Sequence, residues 1–479
     1  MNVFKPRGLV LQAVFLASCV AVSGCSSAEP GANVPGGSGG SAGSRGGGSG
    51  GRQSTGGSSG TGGSASGGSA GSGSGGSASN GGSTGSGGST STGGSTGSGG
   101  SAGTGGSTGS GGSSGGDAGA GDTAVSGAWK YSKVITLDTT ASGAGVMEDV
   151  MKYPVAVILD ATRIDFAQAH MNGADIRFFD STGKALPHHI ELWDRASSSA
   201  AVWVLLDVVK GNNKDQSIVM KWGNATAPDT SDSKAVFKRE DGFVGVWHLD
   251  EDGNTTANGY KDSSSHEAHG TGVAMVAGSR VNGRIGKANQ LENPTGQNTA
   301  RWIRVDGEKA TQFNPGPPIT VSIWALANSY PIRSYETIIA KGDTSWTLQK
   351  VMYSTGIGYQ SCLYSNAIMN HACAYNFAGQ PLVTKQWLHF MLVLQEPRQA
   401  LYINGKFNAM SDLAQWQKGA HPLGIGNQTQ ILGGRRQWDG ILDEARVMQV
   451  ARPLAWAKLE FESQKENPTL LKFGETQTQ

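Results

Sequence analysis

Of 479 residues only four are cysteine, only 7% are aromatic and only 16% are charged, and the formal net charge is +1. Four cysteines are too few for a disulfide-built scaffold, so a folded region has to rest on an apolar core. A balanced charge with no basic tract beyond Lys5 and Arg7 argues against nucleic acid and anionic membrane surfaces as partners. Beyond the first 22 residues there is no run of eighteen apolar residues, so the rest of the chain is expected to carry a soluble head. Glycine, by contrast, is in excess. Of its 75 glycines, 41 lie between Gly31 and Ala120, in repeats such as Gly-Gly-Ser-Thr-Gly-Ser-Gly-Gly-Ser. Such a segment offers no apolar surface to offset the entropy of ordering, and is read as a coil reaching about 50–55 Å on average. The pattern Gly-x-Ser-x-Gly recurs there, for instance at Gly36–Gly40, but without the strand and helix that a nucleophile elbow needs.

Lys5 and Arg7 precede an apolar stretch, Gly8 to Val22, of signal-peptide length, and small residues lead into Cys25. Val22-Ser23-Gly24-Cys25 resembles a bacterial lipobox. The resemblance implies cleavage before Cys25 and diacylation of its sulfur, and several acyl chains anchor far better than one. Ser26 at the next position resembles an outer-membrane sorting signal of a Gram-negative cell. The expected organisation is a signal peptide (1–24), a lipidated Cys25 with a Gly/Ser-rich linker (25–124) and two folded domains (125–236 and 237–479).

Once Cys19 leaves with the signal peptide and Cys25 is lipidated, Cys362 and Cys373 are the thiols left for the head. In an oxidising compartment the simplest reading is a disulfide. A zinc site would need more ligands, and His371 alone is close by.

Both domains read as β. Short apolar or alternating runs recur about every ten residues between Gly, Asn, Asp and Pro, as in Val155–Leu159, Ala201–Leu206, Thr320–Trp324 and Leu388–Leu394. Asn404-Gly405 after Leu401-Tyr402-Ile403 predicts a type I′ hairpin turn. Pro453 opens a predicted helix to about Gln464, with Leu454, Ala457, Leu459 and Phe461 on its apolar side. The fold class is all-β, two sandwiches with one short C-terminal helix.

Gly173-Ala-Asp-Ile-Arg-Phe178, Leu186-Pro-His-His-Ile-Glu191, Val202-Trp-Val204 and Lys221-Trp-Gly-Asn224 together resemble the bacterial family DUF2341, which implies a small β-sandwich of unknown role. Asp175 and Arg177 fall on one strand face and are expected to pair with neighbours, and His188-His189 to be ordinary surface histidines. Gly245-Val-Trp-His-Leu-Asp-Glu251, Ile319–Trp324, Leu401–Lys406 and above all Trp438-Asp-Gly-Ile-Leu-Asp-Glu-Ala-Arg-Val447 resemble a laminin-G-like, concanavalin-A-like jelly roll.

That fold hosts both lectins and glucanases, so fold does not decide function. The Glu-x-Asp-x-x-Glu spacing of its glucanases is missing, and His248–Asp252 and Leu442–Glu444 are acidic but wrongly spaced. The expectation is that the protein is not an enzyme. Calcium, structural or ligand-bridging, is the expected cofactor, with Asp250 and Asp443 in the positions that the jelly-roll resemblance implies. For a sugar platform the aromatic candidates are Trp302, Trp346, Tyr364 and Trp438, with Arg435 and Arg436 near by in sequence. The overall expectation is a surface-anchored lipoprotein whose head binds carbohydrate, matrix or a surface protein. The alternatives are a structural or assembly component of the envelope and, behind it, a glycan hydrolase.

Overall fold

The computed structural model of the chain describes residues 129–292, 300–316, 318–329, 335–342, 344–353, 356–364, 371–376, 383–412, 416–428 and 436–479. The expected signal peptide, Cys25 and the Gly/Ser-rich linker lie outside the described residues, as does Arg435.

The β rhythm of the sequence becomes four antiparallel sheets. In the first sandwich a three-stranded sheet (Val150–Asp160, Ser199–Val209, His188–Asp194) faces a five-stranded one. The five-stranded sheet takes Tyr131–Leu137, Ser217–Trp222, Arg177–Asp180 and Ala185–Leu186 from this part of the chain. Its edge strand is Leu471–Thr478, which pairs with Tyr131–Leu137. The chain end therefore returns to the first sandwich, whereas the sequence assigned all of 237–479 to the second. The physical reason is the open edge of Tyr131–Leu137, whose N–H and C=O groups need a partner. Nothing in the alternation of residues 471–478 says which edge they choose.

The second sandwich is a jelly roll. Its eight-stranded sheet runs Arg280–Asn282, Lys287–Leu291, Gly440–Met448, Ile319–Ala327, Trp387–Gln395, Arg398–Ile403 and Lys406–Asp412, with Phe243–Trp247 also paired to Gly440–Met448. Its seven-stranded sheet runs His371–Asn376, Gly356–Tyr364, Trp346–Tyr353, Tyr335–Ala340, Leu423–Ile425, Trp302–Val305 and Thr271–Val273. Ile319, Val321 and Ile323 meet Phe390, Leu392, Leu394, Trp346 and Leu348 between the two sheets. Asn404 (φ 50°) and Gly405 (φ 70°) form the left-handed pair that a type I′ turn requires. Cys362 and Cys373 face each other across adjacent strands and are disulfide-bonded.

Period-two alternation gives the eight-stranded sheet a second, outward face, and that face is buried too. Met391, Val393 and Met448 join one apolar cluster with the first sandwich and with Trp456, Ala457 and Leu459 of the helix Leu454–Gln464. The helix lies between the sandwiches, so it is buried on more than the one apolar side that the sequence suggested. Leu454 is exposed, while Glu460, Ser463 and Gln464 are buried and bonded. Ser322 Oγ donates to Glu460 Oε1 (2.9 Å), Trp324 Nε1 donates to Gln464 Oε1 (2.6 Å), and Tyr153 OH shares a hydrogen bond with Ser463 Oγ (2.8 Å). The described residues thus fall in one compact unit.

Leu470, fully buried just before the returning strand, tests this arrangement. Leu470→Ala should cost about 2–5 kcal/mol of unfolding free energy. Denaturant unfolding followed by the fluorescence of the first sandwich, which holds Trp203 and Trp222, reads the loss. An unchanged midpoint would mean that the returning strand does not hold that sandwich.

Candidate functional site

Directly opposed residues of antiparallel strands share a face. Thr337 opposes Gln349, Gln349 opposes Gln360, and Gln360 opposes Tyr375, making one polar row across four strands on the outward face of the seven-stranded sheet. Tyr335 and Tyr353 lie on the same face. Their rings are 5.9 Å apart, and Tyr353 and Tyr375 are 6.4 Å apart. Tyr353 OH donates to Gln360 Oε1 (3.2 Å), and Tyr375, 42% exposed, is the open end of the row. Arg436 caps the other end: its guanidinium lies 4.7 Å from the Tyr335 ring centre and its Nη1 donates to Gln428 Oε1 (2.7 Å). Thr337 Oγ1, Thr347 Oγ1, Gln349 Oε1 and Gln428 Nε2 are buried here without a hydrogen-bond partner. A buried polar atom left unpaired costs about 1–3 kcal/mol, and four around one face is a concentration that wants an explanation.

The sequence candidates divide. Arg436 is at this face. Tyr364 shares the face but is buried. Trp346 and Trp438 are fully buried and Trp302 nearly so, which removes them as a platform. Trp346 Nε1 donates to the Phe313 carbonyl (2.7 Å), and Trp438 lies under Lys350, itself bonded to Glu336 (2.6 Å). Two sheets about 10 Å apart must fill the gap between them, and the largest side chains do so. No local pattern marks the tyrosines, because Tyr335, Tyr353 and Tyr375 are far apart in sequence and meet only through strand pairing.

A second group lies where the sandwiches join. Asp250 and Asp443 do not form a ligand set. Asp443 is wholly buried, and its Oδ2 accepts from the backbone N–H of Arg284 (2.6 Å) and Ile285 (2.9 Å). The side chains that converge are Glu191, His248 and Glu444, each offering one donor atom within 4.8 Å of the others. His248 Nδ1 lies 2.7 Å from Glu444 Oε1 and 3.4 Å from Glu191 Oε2. Each of the three sits at a backbone irregularity. Glu191 is the extra residue of a bulge between Ile190 and Leu192, and Glu444 occupies another bulge at φ 52°. His248 precedes Leu249 at φ 62°. A bulge re-aims a side chain: on a regular strand Glu444 would point away from the face Asp443 occupies, and here both point outward.

The group is dry and tightly framed. The Glu191 and Glu444 side chains are 1% exposed, Trp203 Nε1 donates to Glu191 Oε2 (2.7 Å), and Arg446 Nη2 lies 2.5 Å from Glu444 Oε2. Burial, then the charges of Glu444 and Asp443, pushes the Glu191 carboxyl well above the usual range. Burial also raises Glu444, but His248 and Arg446 more than reverse it and hold it at about 2. His188 is buried and His189 half-buried: His188 packs on Phe178 and His189 stacks on His248, and burial lowers them to about 4 and about 3. Asp175 and Arg177 bond to backbone, Asp175 to the N–H groups of His170, Gly223 and Asn224 and Arg177 to the carbonyls of Ala174 and Ile176.

Burial and then Arg446 hold His389, near Glu460, down to about 3. A histidine depressed in the folded state stabilises above its unfolded value, about 6.5, and loses that contribution as pH falls toward 3. The stability advantage of the parent over His389→Gln should shrink by about 1.4 kcal/mol per pH unit between pH 6.5 and 4.5. Parallel urea titrations measure it; a gap independent of pH would show that His389 is not held neutral.

Residues 172–252 match the family described as a domain of unknown function, DUF2341, and residues 298–457 match the concanavalin A-like lectin/glucanases superfamily. The first match runs past the first sandwich to Asp252 and so takes in Glu191 and His248; the second takes in Glu444. No curated protein matches the chain. Among solved structures it is similar to the binding domain of paraclostridial mosquitocidal protein 1 (15% identity, 47% of this chain and 53% of that one, TM-score 0.36). The chain thus spans about half of that structure. It is also similar to domain 4 of AbnA, a GH43 extracellular arabinanase from Geobacillus stearothermophilus, in complex with arabinotriose (16%, 45% and 97%, 0.34). A third is the heptameric SAP-like pentraxin from Limulus polyphemus (17%, 30% and 68%, 0.24). The chain carries a DUF2341 domain followed by a concanavalin A-like domain of the lectin/glucanase superfamily.

Proposed function

We propose that the protein is a surface-anchored binding head for carbohydrate, its site the outward face of the seven-stranded sheet. The observation that carries this reading is the Tyr335–Tyr353–Tyr375 cluster beside the Arg436 guanidinium, with Tyr375 42% exposed at the end of the row that Gln349 and Gln360 continue. A sugar offers both halves of the match, an apolar ring face for the tyrosines and hydroxyls that donate and accept at once. The other sheet cannot serve, since its outward face is committed to the helix and the first sandwich.

Binding rather than hydrolysis is favoured because the row Thr337–Gln349–Gln360–Tyr375 contains no carboxylate. The carboxylate pair Glu191 and Glu444 is sealed between the sandwiches, where no sugar reaches it. The lipobox-like Val22–Cys25 and the Gly/Ser segment support a lipid anchor and a long tether, which raise the effective concentration of a weak binder near its surface.

The test is affinity electrophoresis and calorimetry of the protein against glucans, xylan, arabinan, pectin, chitin and lipopolysaccharide. Retention on one class is expected, and Tyr353→Ala with Tyr375→Ala should weaken it about 10- to 30-fold, the weight of an aromatic hot spot. Binding that survives the double substitution would put the site elsewhere. No retention on any polysaccharide would favour the structural role in the envelope.

A further inference from the structure

We propose that Glu191, His248 and Glu444 bind one divalent first-row transition ion of the zinc type, which ties the DUF2341 sandwich to the jelly roll. The proposal stands apart from the carbohydrate reading and uses the opposite sheet.

The donor set points to this ion class. Calcium takes six to eight oxygens and rarely an imidazole, whereas two carboxylates and an imidazole suit zinc and its neighbours. A tetrahedral zinc about 2.0–2.1 Å from its donors sets them about 3.4 Å apart. The 3.4 Å from His248 Nδ1 to Glu191 Oε2 meets that, and the 2.7 Å to Glu444 Oε1 is the short hydrogen bond that the ion would replace, taking the place of the proton between them.

A further observation points to a missing partner. Glu191 Oε1 is buried without a hydrogen bond, its side chain 1% exposed. Glu191 Oε1 supplies a fourth donor if that carboxylate binds through both oxygens. It is held close to the backbone at Gly286 (φ 49°), where an added Cβ would lie 2.4 Å from it. Four carboxyl groups, those of Glu191, Asp443, Glu444 and Glu460, are buried here, and Arg446 bonds two of them, Glu444 and Glu460. The outer frame is in place, with Trp203 Nε1 on Glu191 Oε2 and Arg446 Nη2 on Glu444 Oε2 orienting both carboxylates. The ligands come from both sides of the join, Glu191 from the first sandwich and His248 and Glu444 from the second.

The experiment is zinc titration of the EDTA-stripped full chain, with the melting temperature and the bound metal measured together. One zinc per chain and a rise in melting temperature of several degrees are expected. Glu191→Gln and His248→Gln, which keep size and neutral hydrogen bonding, should each weaken zinc at least ~100-fold and abolish the rise. Cobalt gives a readout that needs no variant: a bound ion in a site of low coordination shows visible d–d bands, absent from cobalt on the surface. No cobalt bands with no zinc uptake by the parent would overturn the proposal. So would uptake unchanged in both variants, which would mark an adventitious ion only.

Discussion

Arg446 is the point on which the two sandwiches turn. Its guanidinium, buried in a strand of the jelly roll, lies 4.1 Å from the ring centre of Trp203 and 5.5 Å from that of Phe237, both of the segment before the jelly roll. It bonds at the same time to Glu444 on its own strand and Glu460 on the helix. Burying a guanidinium costs free energy that its pairing has to offset, so every element that supplies a partner is held relative to the others. Strand, helix and first sandwich become one body, and the alternation of the jelly-roll strands yields two apolar clusters rather than one.

That coupling decides the use of the jelly roll's surfaces. The outward face of the eight-stranded sheet is given over to the helix and the first sandwich, and the join has the character of a locked interface. The tyrosines gather on the other sheet, with Tyr375 exposed. The bulges at Glu191 and Glu444 belong to the lock. A residue other than glycine in the left-handed region costs roughly 1–2 kcal/mol, and the strain at Glu444 is held by the bonds from His248 and Arg446.

Much of the fold is legible in the chain alone. Period-two runs announce strands because consecutive side chains on a strand point to opposite faces. Asn404-Gly405 announces a turn because both positions need positive φ, and Pro453 a helix start because its fixed φ and missing N–H cost nothing there. Cys362 and Cys373 pair by elimination. The same logic misleads at Asp443 and Glu444, where a bulge breaks the alternation, and at Trp346 and Trp438, whose types suit a platform and a core equally well.

The sequence by itself therefore determined the elements, the two domain families and the local turns, all set by contacts between residues near in the chain. Tertiary structure alone decided three things: which edge Leu471–Thr478 would pair with, which aromatics would be buried, and that Glu191, His248 and Glu444 would meet. Each depends on residues tens to hundreds apart, brought together by strand register and sheet packing, and no local pattern encodes a distance between such residues.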